Sequence, residues 1–326
     1  MAEEELKEES APDFEQIDTK KVSDTIEKID RALSGKKINK KVKQKLNYAK
    51  KNWPKKMAEY EQKQEILGTR NSYSKTDKDA TFMRMKDDHM QNGQLKAGYN
   101  WQISTSDQYI VNYSIHQNPT DTLAFKPHID QYENLYKTLP ENITADAGYG
   151  SEENYEYLTD KEITGYVKYN YFHKEQTKKY KEDPFRVDNL YYNPDRDKVY
   201  CPIGQPMGNI GECNRLTSSG YKQSYTRYQA RNCDECPLRS QCHKAKGNRV
   251  VEINHNLRHH KAKVRRNLLS DQGIAHRKQR PADVEAVFGN IKHNKNFKRF
   301  MLRGINKVEI ETGLVAIAHN LAKKAV

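Results

Sequence analysis

The spacing of apolar residues changes along the chain, and this change constrains the fold more than any other feature of the sequence. Apolar side chains recur at helical spacing over residues 22–33 and again over residues 38–49, and the two runs are followed by Gly35 and Pro54. The pattern predicts two amphipathic helices. A more polar helical stretch follows over residues 57–67. Together these segments predict a basic helical arm that precedes the main core.

From Tyr99 onwards the apolar period shortens to two. Alternation over residues 99–103 and 109–115, on either side of a turn at Asp107, predicts an antiparallel hairpin. The elements predicted after it are a helix over 120–136, a strand over 143–147, a helix over 151–158 and a strand over 163–167. This β-β-α-β-α-β order predicts an α/β fold with a mixed sheet.

The positive charge of the chain is concentrated in two places. Residues 36–56 contain ten lysines and no acidic residue, and residues 255–303 contain thirteen lysines and arginines against three acidic residues. Each stretch therefore has a net charge of +10, and since the formal net charge of the chain is +13, the other residues together are acidic, at −7. Two such basic stretches predict a polyanionic partner such as a phosphate backbone. For the first stretch, a solvated helix face is an equally good interpretation.

The composition excludes a membrane-spanning protein. Mean hydropathy is −1.08, and no apolar run approaches the roughly 18 residues that a span requires. The first residues also lack the features of a signal peptide, so we expect a cytoplasmic protein. Residues 1–18 are acidic and aperiodic, which predicts a disordered lead. The 21 tyrosines indicate a core that relies on phenol rings.

Two acidic residues stand at positions that suggest chemistry. Asp146 lies at the carboxyl end of an apolar strand, before a glycine-containing turn, which is where open α/β sheets place functional side chains. A helix cap for the segment that starts at Ser151 is an equally simple interpretation of Asp146. Glu285 is predicted to lie on a helix, on a different face from the apolar stripe and on the same face as Lys292. A glutamate in such a position is usually exposed to solvent.

The motifs around these residues resemble the DDE transposases of bacterial insertion sequences. The resemblance covers about residues 75–326 and rests on six segments: Ala145-Asp146-Ala147-Gly148-Tyr149-Gly150-Ser151, Val284-Glu285-Ala286-Val287-Phe288-Gly289-Asn290-Ile291-Lys292, and residues 77–83, 98–103, 300–304 and 318–321. It implies an RNase H-like fold in which two aspartates and a glutamate hold two Mg²⁺ or Mn²⁺ ions for DNA cleavage and strand transfer. It also implies double-stranded DNA as the partner, a homodimer on that DNA, and a nucleoid-associated location in a bacterium.

The resemblance assigns roles to individual residues. Asp146 matches the second aspartate and Glu285 the glutamate, so both are expected to be catalytic metal ligands. Lys292 matches the lysine that contacts the transposon end. Arg280 is a loose match to the basic residue before the glutamate, because it stands five positions upstream across a proline. The DNA-contacting residues expected in this part of the chain are Arg280, Lys292, Arg299 and Arg303.

The first aspartate of the family has no clear match. The family carries it on a strand upstream of a long helical connection, and residues 20–67 fill the place of that connection, so we expect that this strand is absent and that the chain is truncated. Four other aspartates are poor substitutes. Asp77 and Asp79 belong to a different motif, Asp107 is expected in a hairpin turn, and Asp121 is expected to cap a helix. A metal-dependent enzyme and a non-catalytic DNA-binding remnant are therefore both candidate functions.

The cysteines form a second candidate site. Cys233, Cys236 and Cys242 have C-x2-C-x5-C spacing, and Cys201 begins a turn 32 residues earlier. Four thiolates suit tetrahedral Zn²⁺, and a turn-rich segment with few apolar residues gains most from such a link. Cys213 or His243 could replace one ligand. Reduced structural cysteines without a metal are the alternative.

These predictions divide the chain into five segments. An RNase H-like catalytic domain is expected in two parts, interrupted by the cysteine-containing insertion and preceded by the helical arm. The segments are an acidic lead over 1–18, a basic helical connection over 19–74, the first part of the catalytic domain over 75–168, the insertion over 169–256, and carboxy-terminal helices over 257–326.

Overall fold

A computed structural model describes residues 18–35, 39–85 and 92–325 of the 326-residue chain. Its contacts divide the chain into two compact units, residues 1–97 and 98–326. The predicted disordered lead lies outside the described residues except for Asp18, whose side chain accepts a hydrogen bond from the Lys21 N–H and caps the first helix. Among the described residues, none of the helices combines the length and apolar character needed to cross a bilayer.

The first unit is built on two long helices, α1 (Thr19–Leu33) and α2 (Lys40–Leu67). The Thr19 N–H donates to Glu61 near the end of α2, and Asp30 pairs with Lys50 at 2.5 Å, so the two helices run antiparallel. A short pair of strands, β1 (Thr81–Arg84) and β2 (Leu95–Gly98), follows them. This arrangement confirms the predicted pair of amphipathic helices.

One boundary in this unit was predicted wrongly. Pro54 does not end a helix, because α2 continues through it to Leu67. A proline inside a helix removes one backbone hydrogen bond and costs about 3 kcal/mol. The lysine-, glutamine- and glutamate-rich turns on both sides have high helix propensity, and antiparallel packing on α1 spans the proline. The two predicted segments therefore join into one helix.

The second unit begins with the predicted hairpin. Strands β3 (Asn100–Ser106) and β4 (Tyr109–His116) pair antiparallel, and Asp107 and Gln108 both have positive φ in the tight turn between them. A turn with two positive φ values matches the twist of paired strands. The role predicted for Asp107 is thus confirmed.

Trp101 of β3 lies at the centre of an aromatic cluster. Its ring centroid is 5.6 Å from that of Phe288, 6.2 Å from that of Phe297 and 6.1 Å from that of Phe300. The first two contacts are edge-to-face, the arrangement that aromatic rings prefer. The cluster packs the hairpin against the segment that carries Glu285.

Next come α3 (Asp121–Tyr136), β5 (Asn142–Ala145), α4 (Glu152–Asp160) and β6 (Thr164–Val167). Strands β5 and β6 are parallel, with Ala145 opposite Val167. All four elements match the prediction within a few residues. Their core contains several tyrosines beside aliphatic and phenyl side chains, as expected from the composition: Phe125, Ile129, Tyr155, Leu158, Tyr166, Val167, Tyr169 and Phe172.

The hairpin and the parallel pair form separate two-stranded sheets among the described residues. The mixed α/β class is therefore confirmed. A single RNase H-like sheet that would unite the two pairs stays a prediction.

The segment predicted as turn-rich also contains a sheet that the sequence did not reveal. Five antiparallel strands are ordered β11-β10-β9-β8-β7, and Val199, Met207 and Tyr228 are almost fully buried in their core. The longest strand, Pro206–Leu216, exposes side chains on both faces, so the apolar alternation that marks a strand is weak there. Their bounds, with those of two short helices nearby, are α5 (Lys178–Lys181), β7 (Tyr191–Asn193), β8 (Lys198–Tyr200), β9 (Pro206–Leu216), β10 (Lys222–Ala230), α6 (Arg239–Cys242) and β11 (Val250–Ile253).

Helices return after β11 and complete the unit. Two π-helical turns, Pro281–Glu285 and Asn290–Asn294, interrupt one continuous helical path. The α-helices of this part are α7 (His255–Leu269), α8 (Asp271–Arg280), α9 (Ala286–Gly289) and α10 (Ile305–Lys324). Helix α10 docks on β4, where Asn320 exchanges two hydrogen bonds of 2.8 Å with the backbone of Ile110.

Candidate active site

Asp146 is positioned by the parallel strand pair. Because Ala145 lies opposite Val167, the next residues of the two strands, Asp146 and Lys168, emerge side by side at one edge. Lys168 Nζ lies 3.1 Å from Asp146 Oδ1. The helix-cap interpretation of Asp146 is wrong, since Ser151 caps α4 by accepting a hydrogen bond from the Asn154 N–H.

Arg280 joins Asp146 to Glu285. Its guanidinium lies 3.1 Å from Glu285 Oε1 and 3.7 Å from Asp146 Oδ2, and its side chain is only 15% exposed. The π-helical turn between Arg280 and Glu285 explains the spacing of five residues, because hydrogen bonds in a π-helix join residues five apart. The wide turn brings these two side chains to the same side of the helical path.

The charges of this cluster nearly balance. Partial burial alone would raise the pKa of Asp146, but hydrogen bonds from Lys168 and from the Ala147 N–H, with the charge of Arg280, hold that pKa below its usual value. Asp146 is therefore ionised at neutral pH. Two carboxylates and two cations then face one another at the edge of the strand pair.

A third carboxylate lies beside the turn that follows Asp146. Asp121 Oδ1 accepts hydrogen bonds from the side-chain amides of Asn100 and Gln102 at 3.1 Å and 3.0 Å. Its other oxygen faces Gly148 so closely that a Cβ added there would lie 3.0 Å from it. The predicted cap role is wrong, because Thr120 holds the cap position of α3 and Asp121 is the first helical residue.

The basic residues predicted to contact DNA lie outside this cluster, with the exception of Arg280. Lys292 Nζ is 5.4 Å from the centre of the Phe288 ring, and Arg299 and Arg303 are exposed. In the described parts of the chain, no ion pair joins these three residues to Asp146 or Glu285. Conversely, the prediction missed Lys168, which no sequence signal distinguishes from other lysines.

The cluster offers few ligands for a divalent cation. Among the described residues, no group of three or more histidine, cysteine, aspartate or glutamate side chains is arranged to hold a metal ion. Mg²⁺, however, is commonly held by one or two carboxylates with water and substrate phosphates. Asp146 and Glu285 share one guanidinium and offer such oxygens. Their chemistry fits a hard divalent cation.

The four predicted zinc ligands lie together in the five-stranded region. Cys201, Cys233, Cys236 and Cys242 line one small cavity, with His243 in the same wall. Cys213 is elsewhere, on β9, where its sulfur is 4.0 Å from a Glu252 carboxylate oxygen.

Comparison with known proteins finds a family match for the carboxy-terminal part of the chain. No curated protein and no solved structure matches the chain. Residues 200–325 match the family described as "Transposase DDE domain". The matched range contains Arg280, Glu285 and the cysteine cavity, whereas Asp146 and Lys168 precede it. Residues 200–325, a little over a third of the chain, are therefore similar to transposase DDE domains.

Proposed function

We propose that this protein is a transposase that cleaves DNA and transfers strands for an insertion sequence, with Asp146 and Glu285 as its catalytic carboxylates. The observation that carries the proposal is their convergence on Arg280 from distant parts of the chain. Carboxylates that meet across a fold are costly unless compensated, and such pairs are common at functional sites.

The cofactor we propose is Mg²⁺ or Mn²⁺, held by Asp146 and Glu285. Held by these residues, the cation would supply Lewis-acid chemistry, namely activation of the attacking oxygen and stabilisation of the leaving oxygen of a phosphodiester. Arg280 and Lys168 lie within 4 Å of the carboxylates, so they can bind the non-bridging oxygens of the scissile phosphate. Their role is to orient that phosphate and to neutralise its charge.

The partner is double-stranded DNA, which a transposase domain implies. Arg299 and Arg303 are exposed, and we assign them, with Lys292 and Arg280, to contacts with the phosphate backbone. A homodimer on two DNA ends, located at the bacterial nucleoid, is the assembly that we propose for strand transfer.

A non-catalytic DNA-binding protein is the second candidate. One observation favours it: Lys168 and Arg280 already neutralise the two carboxylates. Both candidates predict binding to DNA. Only the first predicts nicking that depends on a metal and on both carboxylates.

The discriminating experiment is nicking of supercoiled plasmid in Mg²⁺ or Mn²⁺. We expect Asp146→Asn and Glu285→Gln each to reduce the rate by more than about 10²-fold, while DNA binding, followed by fluorescence anisotropy, is retained. The matched controls are Asp160→Asn and Glu309→Gln, which change exposed acids outside the site. Nicking that persists in both site variants would refute the assignment, and DNA binding without nicking would favour the second candidate.

A further inference from the structure

The cysteine cavity has the size of a site for a single ion. Its volume is about 20 Å³, and a cavity of about 10–15 Å³ already holds one water molecule. Four of the five cysteines of the chain line it. Cysteines from the β8–β9 turn and from the segment after β10 thus line the same small cavity.

Two tight turns present three of these thiols, and the fourth, Cys242, ends α6. Gly204, with φ of +79°, donates its N–H to the Cys201 carbonyl at 2.8 Å and closes the first turn. In the second turn, between Cys233 and Cys236, Glu235 has φ of +58°. Left-handed backbone at a non-glycine residue is unfavourable and persists only where the surrounding structure demands it.

A buried positive charge faces the thiols. Arg249 is 7% exposed; its backbone N–H lies 3.3 Å from Cys233 Sγ, and its guanidinium donates to Cys242 Sγ at 3.1 Å. No carboxylate pairs with this guanidinium in the described residues. Arginine stays protonated in proteins, and a buried charge requires compensation. Thiolates in the cavity would supply that negative charge.

We propose that Cys201, Cys233, Cys236 and Cys242 bind one structural Zn²⁺ as thiolates, with the Arg249 guanidinium offsetting part of the net negative charge of the complex. Zinc prefers tetrahedral sulfur ligands in closed structural sites. The described thiols do not yet form a coordination group, so binding requires their side chains to rotate into the cavity. The ion would link the β8–β9 turn to the segment after β10.

His243 is the competing ligand. Both of its ring nitrogens are buried and have no hydrogen-bond partner among the described residues, and the side chain lines the same cavity. It directly follows Cys242, however, and adjacent residues cannot easily reach two corners of one tetrahedron. Cys201, which comes from a separate turn, is the better fourth ligand.

The test uses the full chain purified without added metal. Elemental analysis should find about one zinc per chain, and replacement by Co²⁺ should give the absorption of a tetrahedral four-thiolate complex. Less than about a tenth of an equivalent of zinc, together with no cobalt–thiolate absorption, would overturn the proposal.

Three variants then test the ligand set. Cys201→Ser should lower zinc affinity by more than about tenfold, whereas Cys213→Ser and His243→Gln should retain the metal, measured by competition with a chromogenic chelator. Loss of zinc in His243→Gln with retention in Cys201→Ser would overturn the four-thiolate assignment. The cobalt spectrum of the unaltered chain counts its thiolates even if a variant fails to fold.

Discussion

Arg280 is the residue whose charge both candidate catalytic carboxylates share. A guanidinium 3.1 Å from one carboxylate and 3.7 Å from the other competes with any divalent cation that approaches them. DNA phosphates offer this guanidinium an alternative partner. If the proposed function holds, Arg280 would link two events, the entry of the metal and the arrival of the nucleic acid.

Replacing Arg280 with Gln should strengthen metal binding in the absence of DNA. Removal of the competing charge is worth about 1 kcal/mol at a partly exposed site, or roughly a fivefold lower Kd for Mn²⁺. Isothermal titration calorimetry measures this change, and Arg299→Gln is the matched control. A weaker affinity for Mn²⁺ in Arg280→Gln would mean that the arginine organises the carboxylates instead of competing for them.

Lys168 should control the ionisation of Asp146. Because the folded pKa of Asp146 lies below its unfolded value of about 3.9, this group stabilises the fold above about pH 4. That contribution is lost as the pH falls through the folded pKa. Lys168→Gln should move the pKa of Asp146 upwards, which carboxyl-carbon NMR can follow. An unchanged pKa would show that the contact with Lys168 is not formed in solution.

At the scale of single elements, a close approach between α7 and α8 constrains the start of the helix that carries Arg280. A Cβ added to Gly273 would lie 2.0 Å from the carbonyl oxygen of Asn267, so only glycine fits this junction. Helix α8 ends at Arg280, and any shift of its start is transmitted along the helix to the carboxylates.

Gly273→Ala should therefore destabilise the protein by about 2–4 kcal/mol, since the backbone of α7 must move. Gly289→Ala is the contrasting variant: apart from its chain neighbours and the adjacent helix backbone, no described atom lies within 4 Å of the added Cβ, and alanine is favoured over glycine in a helix by about 0.5–1 kcal/mol. Urea unfolding of the two variants should give shifts of opposite sign. Equal stability of Gly273→Ala and the parent chain would contradict the close approach.

Elements with strong periodicity were predictable from the sequence, and those without it were not. The hairpin around Asp107 alternates clearly, the strand before Asp146 is a short apolar run, and the predicted bounds of both were close to those observed. The five-stranded sheet was not predicted because β9 exposes most of its side chains. Lys168 was not predicted as a site residue because its position beside Asp146 depends on the register of two parallel strands. The spacing of residues within a single segment does not reveal that register.

Across the whole molecule, positive charge occurs in both units. Helix α2 exposes lysines in the first unit, and the segment from α7 to Arg303 contributes most of the excess in the second. Each contact with a DNA phosphate releases counterions and adds about −0.9 to the slope of log affinity against log salt concentration. The binding of DNA should accordingly weaken steeply as salt is added.

The share of α2 in this binding can be measured. Changing Lys41, Lys45 and Lys55 together to Gln should reduce the magnitude of the salt slope by up to about 2.7 if all three contact phosphates. The matched control changes Lys178, Lys179 and Lys181, which are equally exposed and carry the same charge. Equal slopes for both triple variants would mean that the α2 lysines form only a solvated face.

Trp101, in its aromatic cluster, can serve as an intrinsic fluorescence probe. The chain has two tryptophans, and the other, Trp53, is 51% exposed in the first unit. After Trp53→Phe, all indole emission comes from a ring packed on Phe288 and Phe297, on either side of the second π-helical turn. A shift of that emission on adding Mn²⁺ or DNA would report, in real time, movement of the helical path that carries Glu285.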